Sequence, residues 1–282
     1  MLSSRLNPLG HRGVKVAALT LKSPLPHIKA IAGIGMLQQD YEKGCYAGKH
    51  TIVVDSSGNT AHAVALLAPA FGFTHVKLVM SPDVPDKKRM RLEELSWVQV
   101  VVVPSAEVAE RARADGARPG CYHLNQYGHL GNPEWHYRYT GPEIVRAIGK
   151  KPGIVFVAMG SGGTAMGLGR YFGEHHPGTI VVGVRPALGD KVPGARDRDR
   201  MEEVVTLPWR DYIPPENVID IPSDAAYKSM RKLAAEVLPA PGPTSGLTHA
   251  GFGEYMMRHK HRWPKGFVAA FICPDDAELY TE

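Results

Sequence analysis

Three stretches of this chain hold residues whose types and spacing could do chemistry. The loop Gly160-Ser161-Gly162-Gly163-Thr164 follows an apolar β-branched run and precedes a helix-like stretch. There the backbone N–H groups and the helix dipole favour an anion, and glycines let the backbone approach it closely. A phosphate is the natural guest. The pattern Gly160-x-Gly162-x-x-Ala165 also fits a dinucleotide turn. Against that, it sits mid-chain, and Arg185 stands near where an acidic ribose partner is expected. No Gly-Lys-Ser/Thr follows, so a Walker-type loop fails. A tight strand-to-helix turn without ligand stays open.

The second stretch, Ser56-Ser57-Gly58-Asn59-Thr60, has the same context but carries hydroxyls and an amide. It offers donors to a carboxylate; the plain alternative is an N-cap by Ser or Asn. The third is Lys29, at the head of the apolar run Ile28–Leu37. The helix dipole and partial desolvation there both lower an ammonium pKa and favour a nucleophilic amine. A snorkelling surface lysine is the alternative.

The elements that must position these residues follow from hydrophobic patterning. Strands are expected at Val14–Leu19, Thr51–Val54, His75–Met80, Val98–Val103, Ile154–Ala158, Thr179–Val184 and Gly266–Ile272. Helices are expected at Pro26–Lys43, from Asn59 to Phe71, and at Pro82–Leu95, Ala106–Ala114, Ser223–Leu238 and Leu247–His259, with another from the glycine loop to Glu174. In the Pro82–Leu95 helix, Pro85 and Asp86 stand in the first turn. Val98–Val103 reads as a buried parallel strand. The alternation predicts an α/β protein of two doubly wound α/β halves with parallel sheets. Gly, Asn and Pro gather near Tyr127–Glu134, which marks a boundary.

Composition narrows the class. The 282 residues are 44% hydrophobic and 22% charged, which excludes wholesale disorder. No apolar run reaches membrane-spanning length, and the N-terminus lacks a signal-peptide core. Three dispersed cysteines, Cys45, Cys121 and Cys273, argue against disulfides and metal sites and fit a reducing cytoplasm. The net charge of +5 suits anionic small molecules. It is dispersed, with no basic stripe interleaved with aromatics, so nucleic acid is disfavoured as a partner. The cluster His259-Lys260-His261-Arg262 reads as a solvated helix end.

Taken together and in order, these stretches resemble the fold-type II pyridoxal-phosphate enzymes, and among them the cysteine synthase/cystathionine β-synthase family. Pro24 to Lys29 resembles the family's N-P-x-G-S-x-K loop, and Ser57-Gly58-Asn59-Thr60 its S-G-N-T loop. Gln126-Tyr127, Asn132-Pro133-Glu134 and Thr140–Ile144 resemble Q-F…N-P-E…T-G-P-E-I. Gly160–Thr164 with Gly167, Gly169, Arg170 and Tyr171 resembles G-T-G-G-T…G-x-G-R-Y. Ser245-Gly246 and Pro274-Asp275-Asp276 with Tyr280 resemble S-S-G and P-D-S…Y. The resemblance is collinear over nearly the whole chain.

The resemblance implies a smaller movable domain at 23–132, a larger one at 1–22 with 133–282, pyridoxal 5'-phosphate in the cleft between them, and a cytoplasmic homodimer. It implies that Lys29 forms the Schiff base and removes the substrate's α-proton. Gly160, Ser161, Gly162, Gly163 and Thr164 would cradle the phosphate, Asn59 the ring oxygen, and Asp276 the pyridine nitrogen. Ser56, Ser57, Gly58, Thr60 and Gln126 would hold the substrate carboxylate. The expected activity is a cysteine-synthase-like β-elimination/β-replacement on an O-activated serine.

The chain also departs from the family. Asp276 replaces Ser or Thr, which favours a protonated ring and opens other elimination, decarboxylation or conjugation chemistry on an unusual amino acid or amino-acid conjugate. Ala30-Ile31 replace the family's Asp-Arg, and His27 stands two residues before the lysine, as a second acid/base group or a packing residue. The segment Thr206–Tyr212 replaces a glycine-rich loop and is expected at the substrate mouth. Both ends are short, which puts the family's dimer contacts in question. A catalytically silent binding protein of this fold is the reading from another class, and the intact Lys29, Asn59 and glycine loop argue against it.

Overall fold

Each β-branched run here is followed by an amphipathic or small-residue stretch long enough to return antiparallel to it, so consecutive strands pair in parallel. The computed structural model describes residues 1–20, 25–84 and 86–280. Ser23 and Pro24 of the loop before Lys29, the expected boundary at 22/23, Pro85 and the chain end at 281–282 lie outside them. The chain divides into two units, Met1–Ile28 with the chain from Pro133 onward, and Lys29–Asn132.

In the Lys29–Asn132 unit, β2 (Thr51–Asp55), β3 (His75–Met80), β4 (Val98–Val102) and β5 (Cys121–His123) form a parallel sheet in the order β4-β3-β2-β5, and β1 (Lys15–Thr20) belongs to the other unit. The helices are α1 (Lys29–Glu42), α2 (Asn59–Leu67), α3 (Asp86–Glu93) and α4 (Val108–Gly116). Met36, Leu37, Ile52, Val64, Val76, Leu78 and Leu124 make its core. The expectation that Val98–Val103 is a buried strand is corrected: β4 lies at the sheet edge, and Val102 is 43% exposed. An edge strand has a neighbour on one side only, so its β-branched run is half covered, and Gln99 breaks the apolar pattern.

In the other unit β1 is joined by β6 (Ile154–Ala158), β7 (Ile180–Pro186), β8 (Val218–Ile221) and β9 (Val268–Cys273). These form a five-stranded parallel sheet in the order β1-β9-β6-β7-β8. The chain enters this unit within α5 (Gly131–Trp135), continues through one wide turn, His136–Thr140, and then α6 (Gly141–Ile148). After them come α7 (Gly163–His175), α8 (Arg198–Val204), α9 (Ser223–Leu233) and α10 (Pro243–Arg258). The short β5, β8, α5 and α8 carry too few periodic residues to register as sequence signals. β9 is buried along its whole length, as an apolar central parallel strand should be. Phe156, Phe252 and Phe271 fill the core, each contributing roughly 2 kcal/mol by burial. The basic cluster after α10 is solvated, as expected, with Lys260, His261 and Arg262 exposed.

One buried histidine ties three segments of this unit together. His249 in α10 donates from Nε2 to Leu6 O at 2.8 Å and accepts the Ser229 hydroxyl of α9 at Nδ1, 2.6 Å away. Burial holds its pKa below the ordinary value; Lys232 adds to this, while the bond to Leu6 and the charge of Glu236 work against it. A histidine kept neutral in the fold stabilises fully above its unfolded pKa, about 6.5, and loses that contribution as pH falls toward the lower folded value. The melting temperature of the protein is therefore expected to drop as pH falls below about 6.5, with a flatter drop in His249→Gln. Equal slopes for the two proteins over that window would show that His249 is not the group responsible.

Candidate active site

Lys29 opens α1 and is half-buried, while the helix behind it is packed through Ala30, Ala32, Met36 and Leu37. Three turns on, α1 is tied down by a buried carboxylate. Asp40, 5% exposed, accepts the Tyr122 hydroxyl at 2.5 Å and His129 Nε2–H at 2.7 Å. His129 Nδ1 accepts the Gly131 N–H at 2.9 Å, which sets the ring as the Nε2–H tautomer. Burial works to raise the Asp40 carboxyl, but the bonds from His129 and Tyr122 outweigh it and hold it below the usual carboxylate range. Burial and Asp40 together push the Tyr122 hydroxyl up. The helix that begins at Lys29 is thus fixed to the segment that carries Gln126.

Gln126 lies in that segment with its side-chain oxygen 2.7 Å from Thr60 Oγ1, the hydroxyl donating; both residues are buried. Asn132 Nδ2 donates to the Gln126 carbonyl at 3.0 Å. Thr60 belongs to the first turn of α2. The N-cap alternative for the serines is not what forms: the N-cap is Gly58, with no side-chain cap bond, and Ser56 Oγ accepts the Gly58 N–H at 3.3 Å. Ser56, Ser57, Gly58 and Asn59 are half-buried around this helix start. The structure therefore brings Ser56, Ser57, Gly58, Asn59, Thr60 and Gln126 together within one unit. A helix N-terminus surrounded by hydroxyls and amides is a donor set suited to a carboxylate.

In the other unit, β6 feeds Gly160–Thr164 and α7. Gly162 is the N-cap, in the left-handed region at φ 79°, again with no side-chain cap bond. A side chain there would be strained and would also press on Trp209, whose Cδ1 lies 3.1 Å from where a Cβ would stand. The segment Thr206–Tyr212 thus packs against the glycine loop, with Leu207 and Trp209 buried. Thr164, half-buried in the first turn of α7, has its Oγ1 3.2 Å from Nε2 of the buried His136. Backbone N–H groups at an uncapped helix start, plus the hydroxyls of Ser161 and Thr164 and no carboxylate within the loop, fit the phosphate of pyridoxal phosphate.

Two residues from the resembling motifs, Glu134 and Arg170, pair with each other at 2.8 Å, and Arg170 also stacks over Tyr137 at 3.9 Å. These contacts join α7 to α5 and to the wide turn that follows it. Arg185 reaches across β7 to β8 and grips Asp220 with two bonds, 2.7 and 3.1 Å. After β9, Asp275 is 4% exposed, takes the Tyr280 hydroxyl and lies 3.4 Å from Thr244 Oγ1; Asp276 is half-buried. Burial, then Glu278, raises the Asp276 carboxyl. His27 is 1% exposed and bridges to Asp275 through the backbone. Cys273, just before, is pushed up to about 12 by burial. Among the described residues no cluster of metal-ligand type forms, and no helix is long and apolar enough to cross a membrane.

Asp40, Tyr122, His129 and His136 are functional-site neighbours that sequence reasoning missed. They are single residues, Asp40 and His129 alone standing 89 positions apart along the chain, and no spacing signal links them.

The model of the family described as "Pyridoxal-phosphate dependent enzyme" matches residues 28–275. A probable cysteine synthase of Bacillus subtilis is 32% identical over 263 residues, covering 86% of this chain and 82% of its own. Cysteine synthase B of Pseudomonas aeruginosa is 30% identical over 255 residues, covering 89% and 82%. Among solved structures, O-ureido-L-serine synthase superposes with a TM-score of 0.79 at 22% identity, over 91% of this chain and 82% of its own. The O-acetylserine dependent cystathionine β-synthase from Helicobacter pylori does so at 0.80 and 23%, over 99% and 92%. At such identities the last two show the fold, which is α/β with parallel sheets. The family match and the sequence relatives carry the conclusion: the chain is a fold-type II pyridoxal-phosphate dependent enzyme and belongs to the cysteine synthase family.

Proposed function

We propose that this enzyme performs β-replacement on an O-activated serine, exchanging the group on Cβ for a nucleophile such as sulfide. The observation that carries the reading is the pairing of Thr60 with Gln126 at the uncapped start of α2, a carboxylate site in a pyridoxal-phosphate enzyme. The cysteine synthase relatives, and the structural similarity to O-ureido-L-serine synthase and to an O-acetylserine dependent cystathionine β-synthase, support a serine derivative as substrate.

Each residue has a part in this reading. Gly160, Ser161, Gly162, Gly163 and Thr164 hold the cofactor's phosphate, and Asn59 its ring oxygen. Ser56, Ser57, Gly58, Thr60 and Gln126 hold the amino acid's carboxylate. Bound, the cofactor draws electron density from the amino acid's Cα. Lys29 Nζ anchors the cofactor at rest and accepts the Cα proton during turnover. His27 is read as a packing residue, because it is buried and tied through its backbone. The carboxylate beside the ring nitrogen is assigned to Asp275 in place of the expected Asp276, because burial and the Tyr280 hydroxyl hold it in one position. A carboxylate there stabilises a protonated ring. That favours a second reading, elimination or decarboxylation of a different amino acid. The protein is placed in the cytoplasm, where three free thiols stay reduced. Its assembly as a homodimer rests on the family resemblance.

The purified protein is expected to be yellow, and Lys29→Ala to lose the visible band of the bound cofactor. O-acetylserine should change the wild-type spectrum and, with sulfide, give cysteine. A spectrum that ignores O-acetylserine but responds to another amino acid would replace β-replacement by the second reading. A protein that stays colourless with added cofactor would leave a binding module. Thr60→Val and Gln126→Leu should each raise the KM for the amino acid about tenfold while the cofactor stays bound; an unchanged KM would remove the carboxylate role. With 15N-labelled cofactor, Asp275→Ser should move the ring-nitrogen resonance toward that of an unprotonated ring, and Asp276→Ser should leave it. The opposite pattern returns the role to Asp276.

A further inference from the structure

The glycine loop is not the whole of the phosphate site. His136 is 1% exposed, and its two ring nitrogens face two hydroxyls: Nδ1 lies 2.8 Å from Thr140 Oγ1 and Nε2 lies 3.2 Å from Thr164 Oγ1. Thr140 is buried as well, while Thr164 stands in the first turn of α7. We propose that His136 is a positioning residue for the bound phosphate, donating Nε2–H to Thr164 so that the Thr164 proton is left for the anion. This inference rests on the phosphate reading of Gly160–Thr164.

The argument is an inventory of protons. Each hydroxyl has one proton to give, and a neutral imidazole has one N–H and one acceptor nitrogen. The Thr140–His136–Thr164 chain can therefore run in two directions. In one, Thr164 donates to Nε2 and His136 donates from Nδ1 to Thr140. The Thr164 proton then points at the histidine, and only oxygen lone pairs remain for an anion. In the other, Thr140 donates to Nδ1, Nε2–H donates to Thr164, and the Thr164 hydroxyl donates to the phosphate. A hydrogen bond to an ionised acceptor is about twice as strong as a neutral one. A bound phosphate thus selects the second direction and with it the Nε2–H tautomer.

The frame around His136 holds this geometry. The wide turn His136–Thr140 places Thr140 back against the imidazole. At Gly167, one turn into α7, a Cβ would stand 2.4 Å from Pro133 O and 2.6 Å from His136 Cβ. A glycine is required there for α7 to lie directly on the turn that carries the histidine. Arg170 of α7 stacks over Tyr137 of that turn and pairs with Glu134 of α5 just before it. Thr164 and its donor are therefore set by two rigid pieces in contact.

The test reads the phosphate and the histidine, not turnover. In the 15N-histidine spectrum of the holoenzyme, His136 should carry its proton on Nε2. His136→Leu should shift the 31P resonance of the bound cofactor and speed its release on dialysis about tenfold, the size expected for one charge-assisted hydrogen bond. His136→Gln, which keeps a side-chain N–H, should recover most of that loss. Thr164→Val should show the same loss as His136→Leu, and the double variant should be no worse than Thr164→Val alone. A proton on Nδ1 in the holoenzyme, no rescue by glutamine, or an additive double variant would each overturn the proposal. The tautomer measurement needs no variant, so it decides the matter even where His136→Leu does not fold. If Thr164→Val leaves both the 31P signal and the release rate unchanged, the phosphate reading of the loop fails, and the inference falls with it by a separate route.

Discussion

A helix cannot satisfy the N–H groups of its own first turn. In most helices a side chain of the preceding residue supplies the missing acceptor. Here α2 and α7, each following a central strand of its sheet, begin at a glycine that carries no such cap. Each of these two starts keeps unspent donor capacity and partial positive charge. In the proposed reading they receive two anionic groups, the phosphate of the cofactor at α7 and the carboxylate of the amino acid at α2. The rest of the structure holds these two helix starts, and the side chains beside them, in position.

The two units do this by different means. In the Lys29–Asn132 unit the device is a buried carboxylate: Asp40 collects a phenol and an imidazole N–H and locks α1 to the Gln126 segment. A buried charge stabilises only when its acceptor sites are filled, so removing either partner is costly. In the other unit the device is close helix packing. Gly167 lets α7 rest on the wide turn, and Arg170 with Glu134 clamps the contact from the partly exposed side. Tight contact there places Thr164 relative to His136 with little freedom.

Much of this was legible in the sequence. A strand such as β6 appears as a bare apolar, β-branched-rich run, because a central parallel strand is apolar on both faces. Gly160–Thr164 and Ser56–Thr60 were legible because each places glycine and donors directly after such a run. β4 was misjudged for the converse reason: a run of valines says nothing about whether a second neighbour covers it. The 136–140 turn was not legible, since a wide helical turn has no composition of its own. Nor was the Asp40 cluster, since tertiary folding alone brings residues 40, 122 and 129 together. The choice between Asp275 and Asp276 turns on which of two adjacent carboxylates points inward, and neighbours in a loop share every sequence property except that.

The two missed histidines have the same chemical logic. His129 receives an N–H at Nδ1 and so presents Nε2–H to Asp40. There the donor at Nδ1 is a backbone amide, which has no choice, and the direction is permanent. His136 faces hydroxyls on both sides, and a hydroxyl can reverse. Its direction is therefore set from outside, by whatever charge meets Thr164. An imidazole between an amide and a carboxylate is a fixed strut, while one between two hydroxyls responds to its ligand. With the first behind α1 and the second behind α7, α1 has a fixed tie, while beside α7 only the direction of the hydroxyl chain answers to the proposed phosphate.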